Sequence, residues 1–173
     1  KLVDYRGCLV IPGLVDSHVH YPQTEMIGSY GEQLLSWLDN CTFPMERRFE
    51  DFGYAQRVAE LFVGQLVAHG TTTAAVYGTV HTHSIDALFG SAQPFGLQLI
   101  AGKVLMDRNC PEFLQDTPDR SYEESRQLIK RWHGVLRCQY AVTPHLRQHQ
   151  AQRNCSAWRS CLMNFLQCIC KRM

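Results

Sequence analysis

Acidic residues are missing from the last part of this chain. All 16 Asp and Glu lie at or before Glu124, while residues 145–173 hold five Lys or Arg and no carboxylate. Up to Pro144 the count is twelve Lys or Arg against sixteen acidic residues, so the near-neutral total of +1 averages an acidic body and a basic tail. An acidic body excludes a nucleic-acid interface built on it. No apolar run approaches the roughly 20 residues of a membrane span, and Lys1-Leu2-Val3-Asp4 is not a signal peptide. Paired CxxC spacing is also missing: of eight cysteines, Cys155, Cys161, Cys168 and Cys170 crowd the tail without the pattern of a zinc module. Without an export signal, the dispersed Cys8, Cys41, Cys110 and Cys138 read as free thiols of a reducing, cytoplasmic compartment. The opening residue is Lys rather than Met, so the start is expected to be missing.

What is present is an alternation. A strand is expected over Cys8–Ile11, broken by Pro12-Gly13 and continued by Leu14-Val15 into Asp16-Ser17-His18-Val19-His20. Leu34, Leu35, Trp37 and Leu38 suit a short helix. Val58, Leu61, Phe62, Gln65 and Leu66 give Tyr54–His69 a helical stripe that Gly70 stops. Thr71–Tyr77 is β-rich. Ser84–Gln93 reads as a helix, Leu97–Met106 as a strand containing Lys103, and Val135–Val142 as a strand. Ser121-Tyr122-Glu123-Glu124 has the form of a capping box opening a helix to His133. Helices of this length between short apolar strands predict about four βαβ units around a parallel sheet.

His18 and His20, two residues apart at a strand end, put both imidazoles on one face. Two neutral imidazoles aimed at one point are half of a zinc or iron site. A bare His-x-His is more often a pair of surface histidines; the surrounding Pro12-Gly13-Leu14-Val15-Asp16-Ser17-His18-Val19-His20 is more specific. It resembles the N-terminal metal motif of the amidohydrolase superfamily of metal-dependent (β/α)8-barrel hydrolases. His20-Tyr21-Pro22-Gln23-Thr24-Glu25, Leu35-Ser36-Trp37-Leu38, Thr42-Phe43-Pro44 with Glu46-Arg47-Arg48-Phe49, His69-Gly70-Thr71-Thr72-Thr73 and Gly102-Lys103-Val104-Leu105-Met106-Asp107 are similar in order and spacing to the guanine deaminase family.

The resemblance covers about residues 4–144 and implies an α/β fold: the N-terminal half of a (β/α)8 barrel over 8–144, preceded at 1–7 by a remnant of a flanking β-sandwich. It implies hydrolytic deamination of guanine to xanthine and ammonia by a metal-activated water. One zinc is expected per complete site, with Fe(II) as the alternative. His18 and His20 are the implied ligands, and His20, Tyr21, Pro22, Gln23 and Trp37 the implied substrate-facing residues. Gln23 would hydrogen-bond the purine edge. Trp37 would wall the base pocket or pack in the core as part of an amphipathic helix. The complete enzyme is expected to be a homodimer. Lys103 reads as structural rather than as a carbamylated bridge between two metals, because the branch it resembles uses one. His81 and His83, a second His-x-His, read as loop-surface residues.

After Thr143-Pro144 the family expects Arg-Phe, and this chain has His145-Leu146. Regrouping the codons the tail permits, the last base of one with the first two of the next, restores a Phe, an amphipathic helix and a strand ending in His. Residues 145–173 are therefore expected to be an out-of-frame, unstructured tail. A barrel needs at least roughly 200 residues, so the chain is expected to be truncated and inactive alone, without an in-frame catalytic acid/base. Two competing readings are another amidohydrolase, acting on cytosine or a chlorinated triazine, and a non-enzymatic binding protein using its Cys-rich basic tail.

Overall fold

The stripe of Val58, Phe62 and Leu66 becomes one face of the longest helix, α3 (Phe52–Ala68), in a computed structural model that describes residues 3–30 and 33–145. Asp51 caps this helix by accepting from Tyr54 N at 2.6 Å. Gly70 follows the helix at φ +77, a left-handed conformation that glycine adopts at no steric cost. The chain then enters β2 (Thr71–Tyr77), with the bounds its β-branched run predicts.

Strand β1 (Leu14–His20) begins later than expected. Residues 8–13 form no strand and lie exposed, because they find no ladder partner among the described residues; residues 3–7 form no sandwich strand either. The helix expected near residues 34–38 becomes three pieces: α1 (Leu34–Trp37), a π-type turn over Leu38–Thr42, and α2 (Phe43–Arg47). Downstream come α4 (Thr82–Ala92), β3 (Gln98–Gly102), β4 (Val104–Leu105), α5 (Pro118–Trp132), β5 (Cys138–Tyr140) and β6 (Thr143–Pro144).

All ladders are parallel, in the order β1-β2-β3-β5, with β4 and β6 forming a second short pair. The single strand expected over Leu97–Met106 is split at Lys103. Gly102 sits where a Cβ would lie 1.9 Å from the Ala141 carbonyl oxygen, so only glycine lets the end of β3 approach the link between β5 and β6. Parallel strands in sequence order with helices between them are consistent with part of a (β/α)8 barrel. The helix-facing sheet side and α3, α4 and α5 share one core, including Phe62, Val76, Leu88, Leu99 and Leu128. A second cluster, including Leu38, Phe43, Val104 and Met106, lies beyond the strands' C-terminal ends.

The expected capping box is corrected. Helix α5 starts at Pro118, and its cap is Thr117, whose hydroxyl accepts from Arg120 N. Pro118 at the first helical position is favourable because its missing N–H needs no partner there. Ser121 and Glu124 are thereby inside the helix and turn to Asp116 and Lys103 instead. No helix among the described residues is long and apolar enough to cross a membrane. The tail from residue 146 lies outside the described residues.

Candidate active site

Strand β1 delivers His18 and His20 at its C-terminal end, where a parallel barrel gathers its reactive groups. Their ring centroids are 5.2 Å apart, edge to face. The intervening Val19 points the other way and packs on the main core. The His18 backbone N–H is held by the Asp16 carboxylate at 3.1 Å. Burial, with the neighbouring His18 adding to it, lowers the His20 pKa to about 4. His20 is therefore neutral at pH 7, the form whose nitrogen lone pair can bind a metal.

The strand runs directly into a 3-10 turn over Tyr21–Met26, which carries Gln23. Tyr21 anchors the turn from below. Its ring is fully buried against Phe49 and Phe62, and its hydroxyl donates to the Ser84 carbonyl at 2.8 Å. Glu25 holds the far end, accepting from the Tyr54 hydroxyl at 2.7 Å and from Arg48 at 3.1 Å.

His18, His20, Gln23 and Trp37 line one cleft of about 830 Å³, which continues past Val19 to Phe62 and Leu66 of α3, His69 and Thr71 at the start of β2. Trp37 combines an exposed and a packed side. It borders the cleft and packs on the second core cluster, with its indole N–H donating to Ser29 Oγ at 3.2 Å.

Two expected substrate-facing residues are not there. Tyr21 and Pro22 are buried and do not line this cleft, and the Tyr21 ring is part of the main core. His69 is an unforeseen lining residue; its Nδ1 is engaged by the Gln65 carbonyl at 2.8 Å. The sequence offered His69 only within the resembling segment His69-Gly70-Thr71-Thr72-Thr73 and as a helix end, and neither assigned it to the cleft.

His81 and His83 are likewise corrected from loop-surface residues. Both are half-buried, their rings stack at 5.6 Å, and His83 Nε2 meets the Phe49 carbonyl oxygen at 2.5 Å. Lys103 is fully buried, and its Nζ donates to Asp116 Oδ2 at 2.6 Å and to Glu124 Oε2. An ammonium held between two carboxylates is committed to structure and is not the free amine that carbamylation needs.

As a metal centre the described residues are half a site. Two imidazoles suit zinc or Fe(II) in donor type. No group of three or more His, Cys, Asp or Glu that could hold a metal occurs among the described residues. The nitrogen donors fit the ion, and the remaining ligands must come from elsewhere.

Comparison with known proteins bears on the family and the fold. The amidohydrolase family model matches residues 9–156, past the Pro144 at which the motif resemblance stops. Guanine deaminase of Escherichia coli K12 is 57% identical over 144 residues, which are 83% of this chain and 33% of that protein. Its solved structure superposes with a TM-score of 0.80 at 52% identity, covering 83% of this chain and 33% of the other. The guanine deaminase of C. acetobutylicum, solved with guanine bound in its active site, gives a TM-score of 0.79 at 31% identity, covering 82% and 34%. The chain thus spans about a third of the length of the relatives it matches. With similarity to guanine deaminases over most of its length and the family model matched across the barrel strands, the chain belongs to the amidohydrolase family.

Proposed function

We propose that this cleft is the metal-and-purine side of a hydrolytic deaminase that converts guanine and water to xanthine and ammonia. The observation that carries this reading is the convergence of His18, His20, Gln23 and Trp37 on one cleft, in a chain similar to guanine deaminases. A bound zinc ion supplies water of lowered pKa at neutral pH and Lewis acidity toward the substrate.

The chain's own residues do the rest of what is described. His18 and His20 offer neutral ring nitrogens, the latter held neutral by its burial. Gln23 presents both a donor and an acceptor, which matches the alternating edge of a purine. Trp37, anchored on Ser29, offers a flat apolar face to a planar ring.

Two histidines do not complete a four-coordinate site or supply a general acid/base. Turnover therefore requires side chains beyond those described, and the 173-residue chain alone is proposed to be inactive. We place the protein in a reducing, cytoplasmic compartment, supported by the unbonded Cys8, Cys41, Cys110 and Cys138. Zinc is proposed over Fe(II), and a homodimer is proposed for the complete enzyme.

The test is a chimera in which residues 9–144 replace the matching segment of the Escherichia coli guanine deaminase. We expect zinc-dependent conversion of guanine to xanthine. Gln23→Ala in that chimera should lower kcat/KM for guanine by about 10- to 100-fold, the loss of one to two hydrogen bonds in a closed site. A folded, zinc-loaded chimera that prefers cytosine or a chlorinated triazine overturns the guanine reading. Sustained turnover by the 173-residue chain alone overturns the incompleteness.

A further inference from the structure

The parallel register between β1 and β2 sets His20 directly opposite Tyr77. Both are the last residues of their strands, and both side chains leave the sheet away from the face that carries Val19 and Val76 into the main core. Their rings lie flat against each other, with centroids 4.8 Å apart and planes 10° from parallel. Tyr77 also touches the second histidine, with its centroid 5.2 Å from that of His18. Since His18 and His20 are themselves 5.2 Å apart, the three rings form a closed triangle of contacts.

Tyr77 also packs against the second cluster, which includes Leu38, Val104 and Met106 and which Trp37 and Cys110 border as well. The ring is thus supported by a packed cluster and bears on both imidazoles. An imidazole on a strand end has two side-chain torsions to lose when it ligates. A ring stacked flat on it restricts those torsions before the metal arrives.

We propose that Tyr77 is the positioning residue of the metal site, a platform that holds the His18 and His20 rings in their ligating orientation. The inference rests on the reading of these two histidines as ligands. It assigns the function to the aromatic ring and not to the phenol oxygen.

The experiment uses the 173-residue chain and four substitutions: Tyr77→Phe, Tyr77→Leu, Tyr77→Met and His18→Ala. Zinc affinity is measured by competition with a chromophoric chelator, and the histidine ring protons are followed by NMR without metal. The parent should show His20 ring protons shifted upfield by the stacked ring. Tyr77→Phe should keep both that shift and the zinc affinity within about twofold. Tyr77→Leu and Tyr77→Met should lose the shift and bind zinc about tenfold more weakly, the lower end of what removing a ligand-orienting partner costs.

Equal affinity in the parent and the Leu or Met variant overturns the assignment, as does a Phe variant as weak as Leu. Should neither aliphatic variant fold, the parent decides: His20 ring protons at unstacked positions overturn the platform. Equal zinc binding by the parent and His18→Ala overturns the ligand reading on which the proposal stands. Because the ring shift is read without metal, it separates that failure from failure of the stacking itself.

Discussion

Lys103 Nζ donates to Asp116 Oδ2 across 2.6 Å, with the lysine side chain fully buried and the aspartate 3% exposed. The pair joins the break between β3 and β4 to the start of α5. Asp116 spends its other contacts on Thr117 N and the Ser121 hydroxyl. Glu124 closes the group from the helix, held in turn by Arg120 at 2.8 Å. Lys103→Met keeps the volume and removes the charge, leaving Asp116 in the interior with only the more distant Arg120, at 3.8 Å, as a cationic partner. Breaking such a pair from one side costs about 3–5 kcal/mol. Urea unfolding of the parent and variant should show a fall of that size, and a change below about 1 kcal/mol would reject a structural role for the cluster.

Tyr21 is a second internal tether, between the turn that carries Gln23 and helix α4. Tyr21→Phe removes one buried hydroxyl donor and leaves the ring packing on Phe49 and Phe62 intact. The expected loss is about 0.5–1.5 kcal/mol, measured by chemical denaturation. Tyr21→Ala removes the ring as well and should cost about 3–5 kcal/mol.

The strands and helices that bury a continuous stripe were legible in the residues: Thr71–Tyr77 matches its expected bounds, and α3 differs from its expected span by a residue or two at each end. What escaped was decided by contacts distant in sequence. Cys8–Ile11 has the composition of a strand but no neighbour to pair with among the described residues. Leu97–Met106 is mostly apolar and reads as one strand, yet its ladder is interrupted at Lys103, whose side chain is drawn to Asp116 and to Glu124 of α5. At the cleft, the local His18-Val19-His20 pattern gave both imidazoles and their shared face. It could not show that Tyr21 turns inward, because that follows from where Phe49, Phe62 and the Ser84 carbonyl lie. Nor could it show Tyr77 against His20, which depends on the register of two strands some 57 positions apart in the chain.

The two candidate caps of α5 make opposite predictions. Thr117 accepts from Arg120 N at 3.3 Å, a long bond, so Thr117→Ala should cost about 0.5–1 kcal/mol, the low end for a lost cap. Ser121 lies inside the helix and donates to the buried Asp116 carboxylate at 2.8 Å. Ser121→Ala should cost more, about 1.5–3 kcal/mol, because the bond is to a charged group. Unfolding of both variants in one denaturant series tests the order, and a larger loss at Thr117 would contradict it.

Glu46 and His81 give the protein two opposed pH dependences. Burial alone raises the Glu46 carboxyl to about 8, and its Oε2 has no hydrogen-bond partner. Between pH 4.5 and 8 the folded chain therefore holds a proton that the unfolded chain has released, and stability falls as pH rises through that window. His81 goes the other way. Burial and the adjacent His83 lower its pKa to about 4, so between pH 4 and 6.5 the unfolded chain binds the extra proton and stability rises with pH. Glu46→Gln keeps the shape of the neutral acid and removes the titration. Relative to the parent, this variant should gain stability steadily above pH 4.5, by no more than about 1.4 kcal/mol per pH unit. Below pH 4.5 the two should be nearly equal. Thermal unfolding of both at pH 4, 6 and 7.5 measures the difference, and a gap that stays constant with pH would show that Glu46 is ionised in the fold.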